Sequence, residues 1–135
     1  MKTIPLLVKA LQESNTLPYQ LFRQYKGTDW KNYVTYLYGG KHCYPNVLLK
    51  HNNIELVIMG WNVQQTYYTY TNYNTIYSTI LEGSLFCTET DEHNIKSLWY
   101  LPQHTVYSSK PFSVIDMKAN RQTASLHLFH YCYQK

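Results

Sequence analysis

One stretch decides the fold of this chain: Glu55–Trp61, which reads ELVIMGW. The run is apolar and rich in branched side chains, and it is far shorter than the ~18 residues that a membrane helix needs, so it predicts a buried β-strand. From Cys43 onward the chain continues as short runs rich in Val, Ile, Thr, Tyr and Phe, separated by turn-forming residues such as His51–Asn53 and Glu82–Gly83. This pattern is typical of an all-β domain.

The β pattern predicts nine strands joined by short turns. The predicted strands are Tyr44–Leu49, Glu55–Trp61, Thr66–Thr71, Thr75–Leu81, Ser84–Thr88, Lys96–Leu101, Thr105–Ser108, Phe112–Met117 and Thr123–Phe129. Many short strands with tight turns and no intervening helices favour a jelly-roll sandwich or barrel, which closes most of its strand edges on itself.

Residues 1–40 show helical periodicity instead. A first helix is predicted from Leu6, Leu7, Ala10 and Leu11, and a second from Leu17, Leu21, Phe22 and Tyr25, with Asn15 or Thr16 as N-cap and Pro18 in the first turn. A third, capped by Thr28 or Asp29, is predicted over Trp30, Tyr33, Val34 and Leu37 up to Gly39–Gly40. The expected architecture is a mainly β single domain over residues 1–135, with a helical prelude at 1–40 and a β-barrel at 41–135.

Composition indicates a globular protein with free thiols. Hydrophobic residues make up 44% of the 135 residues and charged ones 15%, which suits one packed domain and not a disordered chain. The net charge of +4 permits an acidic partner, but the twelve Lys and Arg form no basic block. The three cysteines lack C-x-x-C spacing, and Met1–Val8 is followed by polar residues. Both features favour reduced thiols in a cytoplasmic protein without a secretory signal.

Three segments occur in a recognisable order: an apolar strand ending in Trp at Glu55–Trp61, a leucine-rich strand turning through Gly at Ile80–Leu85, and the closing SLHLF at Ser125–Phe129. In this order and spacing they resemble the cysteine dioxygenase family of the cupin superfamily, over essentially the whole chain. The resemblance implies a cupin barrel in which three histidines hold a ferrous ion with open positions for a substrate thiolate and dioxygen.

The same resemblance implies a degenerate member that lacks the metal ligands. The family's His-x-His pair corresponds to Tyr70 and Asn72, and its third His to Asp116. A phenol, an amide and one carboxylate do not make a facial triad for iron, so neither a metal nor another cofactor is expected. Tyr70 is expected to point inward and to fill the volume that metal, water and substrate occupy in the enzyme.

The family's substrate pocket is altered as well. Its Tyr-x-Arg element corresponds to Tyr44 and Asn46, so the cation that pairs with the substrate carboxylate is missing. The Cys and Tyr that crosslink in animal members correspond to Tyr77 and Phe129. His127, the family's buried hydrogen-bonding His, remains, and it is interpreted as a satisfied core residue. The resemblance therefore implies a pseudoenzyme without thiol dioxygenase activity.

The favoured function is that of an interaction module on a larger protein or ribonucleoprotein assembly such as the ribosome, with neither a membrane nor DNA expected as a partner. Tyr and basic residues together suit RNA, because rings stack on bases and Lys contacts phosphates. The candidate interface residues are Tyr67, Tyr73, Lys41, Lys50, Lys118 and Arg121. Two alternatives stay open: a metal-independent sensor of a small thiol or amino acid, and a dioxygenase-like enzyme with a remodelled metal site that uses Asp116.

Overall fold

The structure, a computed structural model, describes residues 1–131. Its elements, in chain order, are α1 (Ile4–Glu13), α2 (Pro18–Arg23), a 3-10 helix (Asp29–Asn32), β1 (Tyr44–His51), β2 (Ile54–Trp61), β3 (Thr66–Tyr70), β4 (Thr75–Glu82), β5 (Ser84–Thr90), β6 (Lys96–Pro102), β7 (Val106–Ser108), β8 (Val114–Ala119) and β9 (Thr123–His130). All nine predicted strands are confirmed, each end lying within two residues of its predicted position. No helix among residues 1–131 has the length and apolar character to cross a bilayer.

The helical prelude differs from the prediction in two places. The N-cap of α2 is Leu17, whose side chain makes no capping hydrogen bond, so neither Asn15 nor Thr16 caps this helix. The third predicted helix is a single 3-10 turn that ends at Asn32.

The chain after this turn has no regular secondary structure, and side chains of β1 and of the β2–β3 turn bind its carbonyl groups. Asn46 Nδ2 donates to the Tyr33 carbonyl at 2.8 Å, and Asn62 Nδ2 and Gln65 Nε2 both donate to the Leu37 carbonyl at 2.8 Å. The segment also crosses β2 so closely that a Cβ at Gly60 would lie 2.0 Å from the Thr35 carbonyl oxygen. Gly60 is therefore required by close packing of this segment on the sheet.

The strands form two antiparallel sheets. The five-stranded sheet has the order β1-β2-β9-β4-β7, and the four-stranded sheet has the order β3-β8-β5-β6. The two sheets do not close into a barrel, so the predicted β-barrel was wrong. Outside the named strands, residues 1–131 form one isolated parallel β-bridge, between His42 and Thr66. Strand number and turn spacing favoured a barrel, but they are equally compatible with two sheets packed face to face.

Two hydrophobic clusters lie on opposite faces of the five-stranded sheet. One face packs against the helices, where Leu7 of α1 meets residues such as Leu126 and Leu128. The other face, with Trp61 and Phe129, packs against the four-stranded sheet and forms the sandwich interior. Because both of its faces are covered, the inner strand β2 is apolar and buried throughout Leu56–Trp61 and lacks the alternation of a half-exposed strand.

Candidate functional site

A chain of buried hydrogen bonds crosses the sandwich interior around His127. The Ser78 hydroxyl lies 2.7 Å from Nδ1 of the imidazole and the Ser125 hydroxyl lies 2.6 Å from Nε2. Trp61 Nε1 donates to Ser125 Oγ at 2.8 Å. All four residues are buried, and Ser78 and His127 face each other on neighbouring strands β4 and β9. The group is thus a polar network enclosed by apolar residues.

Burial keeps the imidazole neutral. Desolvation lowers the pKa of His127 from its ordinary value of 6.5 to about 3. Since Trp61 can only donate, the hydroxyl proton of Ser125 is available to Nε2, and the Nδ1 proton can then be donated to Ser78. In this arrangement both ring nitrogens have a hydroxyl partner, so neither is available to a metal ion.

A second buried polar group, centred on Glu89, lies in the same interior. The Tyr107 hydroxyl donates to Glu89 Oε1 at 2.8 Å, and the backbone N–H of Lys110 donates to Oε2 at 2.7 Å. Burial, together with nearby Cys87 and Glu89, raises the pKa of Tyr107, and burial raises the pKa of Cys87 to about 11. The sequence analysis missed this group. The sequence pattern that could have predicted this buried carboxylate is the two-residue period of Leu85, Cys87 and Glu89, which places all three side chains on the inner face of the strand.

The three positions that the cysteine dioxygenase resemblance pairs with iron ligands lie away from the interior. Tyr70 is 55% exposed at the end of β3, Asn72 is exposed in the following turn with φ +52°, and Asp116 is exposed on β8. The prediction that Tyr70 fills the interior was wrong. Alternation along β3 turns Tyr67 inward and Tyr70 outward, and a shift of one residue exchanges the two faces of a strand.

The side chains of the interior do not fit a ferrous centre. His127 is the imidazole that faces inward, and serine hydroxyls occupy both of its nitrogens. Within residues 1–131, no three or more His, Cys, Asp or Glu side chains are grouped so that they could hold a metal ion. Non-haem iron needs two imidazoles and a carboxylate, or a comparable set, converging on one point.

The positions that correspond to the substrate pocket do not converge either. Tyr44 is partly exposed on the edge strand β1, and Asn46 donates to the Tyr33 carbonyl in the prelude. Tyr77 stacks on Tyr19 of α2, with ring centroids 4.2 Å apart, on the helix side of the sheet. His127 and Phe129 face the sandwich interior on the opposite side of that sheet. Five side chains on two faces cannot surround one small substrate.

The outer face of the four-stranded sheet is exposed and rich in aromatic side chains. Its large apolar residues, which define the aromatic face, are Tyr68, Tyr70, Phe86, Leu98 and Tyr100. Leu98 is 75% exposed, and the rings of Phe86 and Tyr100 lie 5.3 Å apart. The face also carries three charged residues, Lys96, Lys118 and Asp116. The strand β8, with Asp116 and Lys118, lies between the exposed rings of β3 and those of β5 and β6. Exposed aromatic side chains of this kind are enriched at binding surfaces.

The predicted interface residues are scattered over the molecule. Tyr67 packs edge-on against Phe129, so its prediction as an interface residue was wrong, whereas Tyr73 is 41% exposed. Lys118 lies on the aromatic face, directly opposite Phe86 in the register of β8 and β5. The remaining three, Lys41, Lys50 and Arg121, are exposed elsewhere.

A groove lies between the helices and one end of the five-stranded sheet. Its inner part, about 380 Å³, is lined by residues that include Trp30, Leu81, Lys26 and His104. Its outer part, about 520 Å³, shares Lys26 and His104 and adds Arg23. No carboxylate belongs to either set of lining residues. This basic groove is therefore suited to a small anion with an apolar part.

Comparison with known proteins places the fold but not a family. No protein-family model and no curated protein matches the chain. A Klebsiella pneumoniae protein with a double-stranded β-helix domain is 14% identical, with a TM-score of 0.64 over 74% of this chain and 84% of the other. The cupin domain of Schizosaccharomyces pombe Cnp3 is 10% identical, with a TM-score of 0.58 over 67% and 65%.

A third similar structure is an RmlC-like cupin from Desulfovibrio desulfuricans, which is 11% identical, with a TM-score of 0.56 over 71% of this chain and 89% of the other. Identities this low indicate shared architecture and leave function open. The chain is therefore a cupin-like, mainly β protein of two antiparallel sheets with short helices at its N-terminal end.

Proposed function

We propose that this chain is a degenerate cysteine-dioxygenase-like cupin that has no catalytic metal and acts as a cytoplasmic interaction protein on a ribonucleoprotein assembly such as the ribosome. The observation that carries the proposal is the aromatic face. Both faces of the five-stranded sheet and the inner face of the four-stranded sheet are covered. The outer face of the four-stranded sheet, which is the aromatic face, has exposed side chains.

The absence of catalysis is supported by the chemistry of the inner side chains. An oxidation of a thiol by dioxygen needs a redox metal and a cation for the substrate carboxylate. The positions that correspond to these roles carry Tyr70, Asn72, Asp116 and Asn46, and the first three face outward or lie in an exposed turn. The alternative of a remodelled metal site has no observation in its favour, because exposed Asp116 has no grouped partners among residues 1–131.

The docking role is supported by the apolar area left in water. Burying one large apolar side chain contributes roughly 1.5–3 kcal/mol, so a partner would have to cover most of the five to offset the cost of association, which is about 4–15 kcal/mol. The two lysines of the face favour a negatively charged partner.

The test is co-sedimentation of the tagged chain with ribosomes in a sucrose gradient at low and high salt. We expect the wild-type chain to travel with ribosomes at low salt and to be released at high salt. The double variant Phe86→Thr/Tyr100→Thr should stay at the top of the gradient. The control Tyr38→Thr, at a residue 80% exposed elsewhere, should behave like the wild type. A wild-type chain that remains a free monomer at every salt concentration contradicts the proposal.

The basic groove favours a second candidate function, a metal-independent sensor of a small thiol or amino acid. Lys26 and Arg23 would pair with a carboxylate while Trp30 and Leu81 contact the apolar part. A thermal-shift series with cysteine, glutamate and phosphate should then find a ligand that raises Tm for the wild type and not for Lys26→Ser. If none of these three compounds changes Tm, the groove is not a binding site for a small thiol, amino acid or anion.

A further inference from the structure

The aromatic face is ordered in cross-strand rows. The β-sheet register places Lys118 opposite Phe86 and Phe86 opposite Tyr100, so these three form one row across β8, β5 and β6. The next row contains Asp116 and Leu98. Neighbouring strands lie ~4.8 Å apart, which is close to the spacing of stacked rings. The ammonium group of Lys118 and the rings of Phe86 and Tyr100 are therefore neighbours in a row perpendicular to the strands.

A hollow of about 170 Å³ lies at one end of this row. It is lined by Gln64, Phe86, Lys118, Ala119 and Asn120. Its walls combine a ring, an ammonium group and two amides. The Ser84 hydroxyl donates to Asn120 Oδ1 at 2.5 Å, so the Asn120 amide is anchored, whereas Gln64 is held by its backbone N–H, which donates to the Ala119 carbonyl at 2.8 Å. Rings stack on bases and amides hydrogen-bond their edges, which is the chemistry of a nucleobase site.

The size of the face argues against a second copy of this chain as its occupant. Three outward residues on each of four strands cover roughly 20 Å by 20 Å, or ~400 Å². Two copies face to face would then bury ~800 Å², which is below the ~1,200 Å² at the lower end of stable protein interfaces.

Charge favours a phosphate backbone at one end of the face. Lys118 stands beside the ring row and the hollow, whereas the β5–β6 turn near Lys96 carries Asp91 and Glu92. Asp116 lies one row away, where a carboxylate can accept from the amino group of cytosine. Phosphates are therefore favoured near Lys118.

We infer that the row of Lys118, Phe86 and Tyr100, with the adjoining hollow, binds single-stranded RNA directly. Bases stack on the two rings, the ammonium group contacts a phosphate, and the amides of Gln64 and Asn120 contact base edges. This inference rests on the proposed function and names the partner and the surface for it.

The test is fluorescence anisotropy with the purified full chain and fluorescein-labelled rU8 and rA8 at about 50 mM salt, where phosphate contacts are strong. Phe86→Leu and Tyr100→Leu keep an apolar side chain and remove the ring, so each should weaken binding about tenfold. Lys118→Met should reduce the slope of log K against log salt by about one. The matched control Tyr38→Leu removes an exposed ring elsewhere and should bind like the wild type.

The outcomes separate this inference from the proposed function. If the chain co-sediments with ribosomes through the aromatic face but binds neither oligonucleotide, the inference is overturned and the ribosomal partner is a protein. If it binds RNA through the face but never co-sediments, the proposed function fails and the inference stands. RNA binding that survives in the double variant Phe86→Leu/Tyr100→Leu assigns RNA to another surface. A dimer by light scattering that Phe86→Leu converts to monomer assigns the face to a second copy. Either result overturns the inference.

Discussion

Replacing His127 by Gln should remove the part of the acid sensitivity of this fold that comes from the buried imidazole. In the folded chain the pKa of His127 is about 3, whereas the ordinary value is 6.5. Below pH 6.5 the unfolded chain therefore binds a proton that the folded chain does not. The stabilisation that follows from neutral His127 is fully present above pH 6.5 and is lost as the pH falls toward 3.

The size of the effect follows from this difference. Each pKa unit corresponds to ~1.4 kcal/mol, so between pH 7.5 and pH 5 the wild type should lose ~2 kcal/mol of its free energy of unfolding through this one group. Gln does not titrate in this range, although the variant should be less stable at pH 7.5 because it cannot reproduce both contacts to Ser78 and Ser125.

The assay is urea unfolding followed by tryptophan fluorescence at several pH values between 5 and 7.5. The gap in stability between wild type and His127→Gln should narrow by ~2 kcal/mol as the pH falls across this range. His93→Gln, at a side chain 75% exposed, is the control and should leave the pH dependence unchanged. If the variant does not fold, NMR of the wild type should show a His127 ring that keeps its neutral chemical shifts down to pH 5. A His127 resonance that titrates near pH 6.5, or equal pH dependence in both chains, would refute the reasoning.

Three further changes test the buried groups. Tyr107→Phe should lower the free energy of unfolding in urea by about 1–3 kcal/mol, because Glu89 keeps its burial and loses a donor. In a Cys132→Ser background, Cys43 and Cys87 should react with a thiol reagent at pH 8 only after unfolding, because burial raises their pKa values to about 12 and about 11. Asp29→Asn should lower Tm, with a loss of about 1 kcal/mol, because this carboxylate accepts from the first turn of α1 and from a buried tyrosine hydroxyl.

Two of these changes, Tyr107→Phe and Asp29→Asn, have matched controls on the surface. Tyr100→Phe removes a hydroxyl from an exposed ring, and Asp116→Asn removes an exposed carboxylate, so both should leave stability within about 0.5 kcal/mol of the wild type. A Tyr107→Phe or Asp29→Asn variant as stable as its control would contradict the hydrogen bonds assigned to these residues. Labelling of Cys87 in the native protein would contradict its burial.

Comparison of prediction and structure shows where local reasoning was sufficient. Each strand has its own alternation or apolar run and its own turn residues, so all nine were predictable from windows of a few residues. The third helix was not, because its residues had helical spacing while Asn46, Asn62 and Gln65, distant in sequence, bind the carbonyl groups of that segment. Tertiary hydrogen bonds outweighed a weak local preference.

The candidate site was less predictable than the fold. The resemblance identified His127 as a buried hydrogen-bonding residue, but its partner Ser78 lies 49 positions away and is placed by the pairing of β4 with β9. Tyr70 was expected to face inward, and a register that sequence does not specify turned it outward. The aromatic face was not predicted as a unit, because Phe86 and Tyr100 meet only when β5 pairs with β6.

The order of helices and strands follows from the sequence alone, as does the presence of Tyr, Asn and Asp at positions 70, 72 and 116, where the resemblance predicts histidines. These properties depend on neighbouring residues and on side-chain chemistry. Only the tertiary structure decided that the sheets stay open as a sandwich, which face of β3 points inward, and which rings lie side by side on the outer sheet. These features depend on the register of strand pairing, both within the β5–β6 hairpin and between strands distant in sequence such as β3 and β8, and its free energy is shared among many residues, so no single strand encodes them.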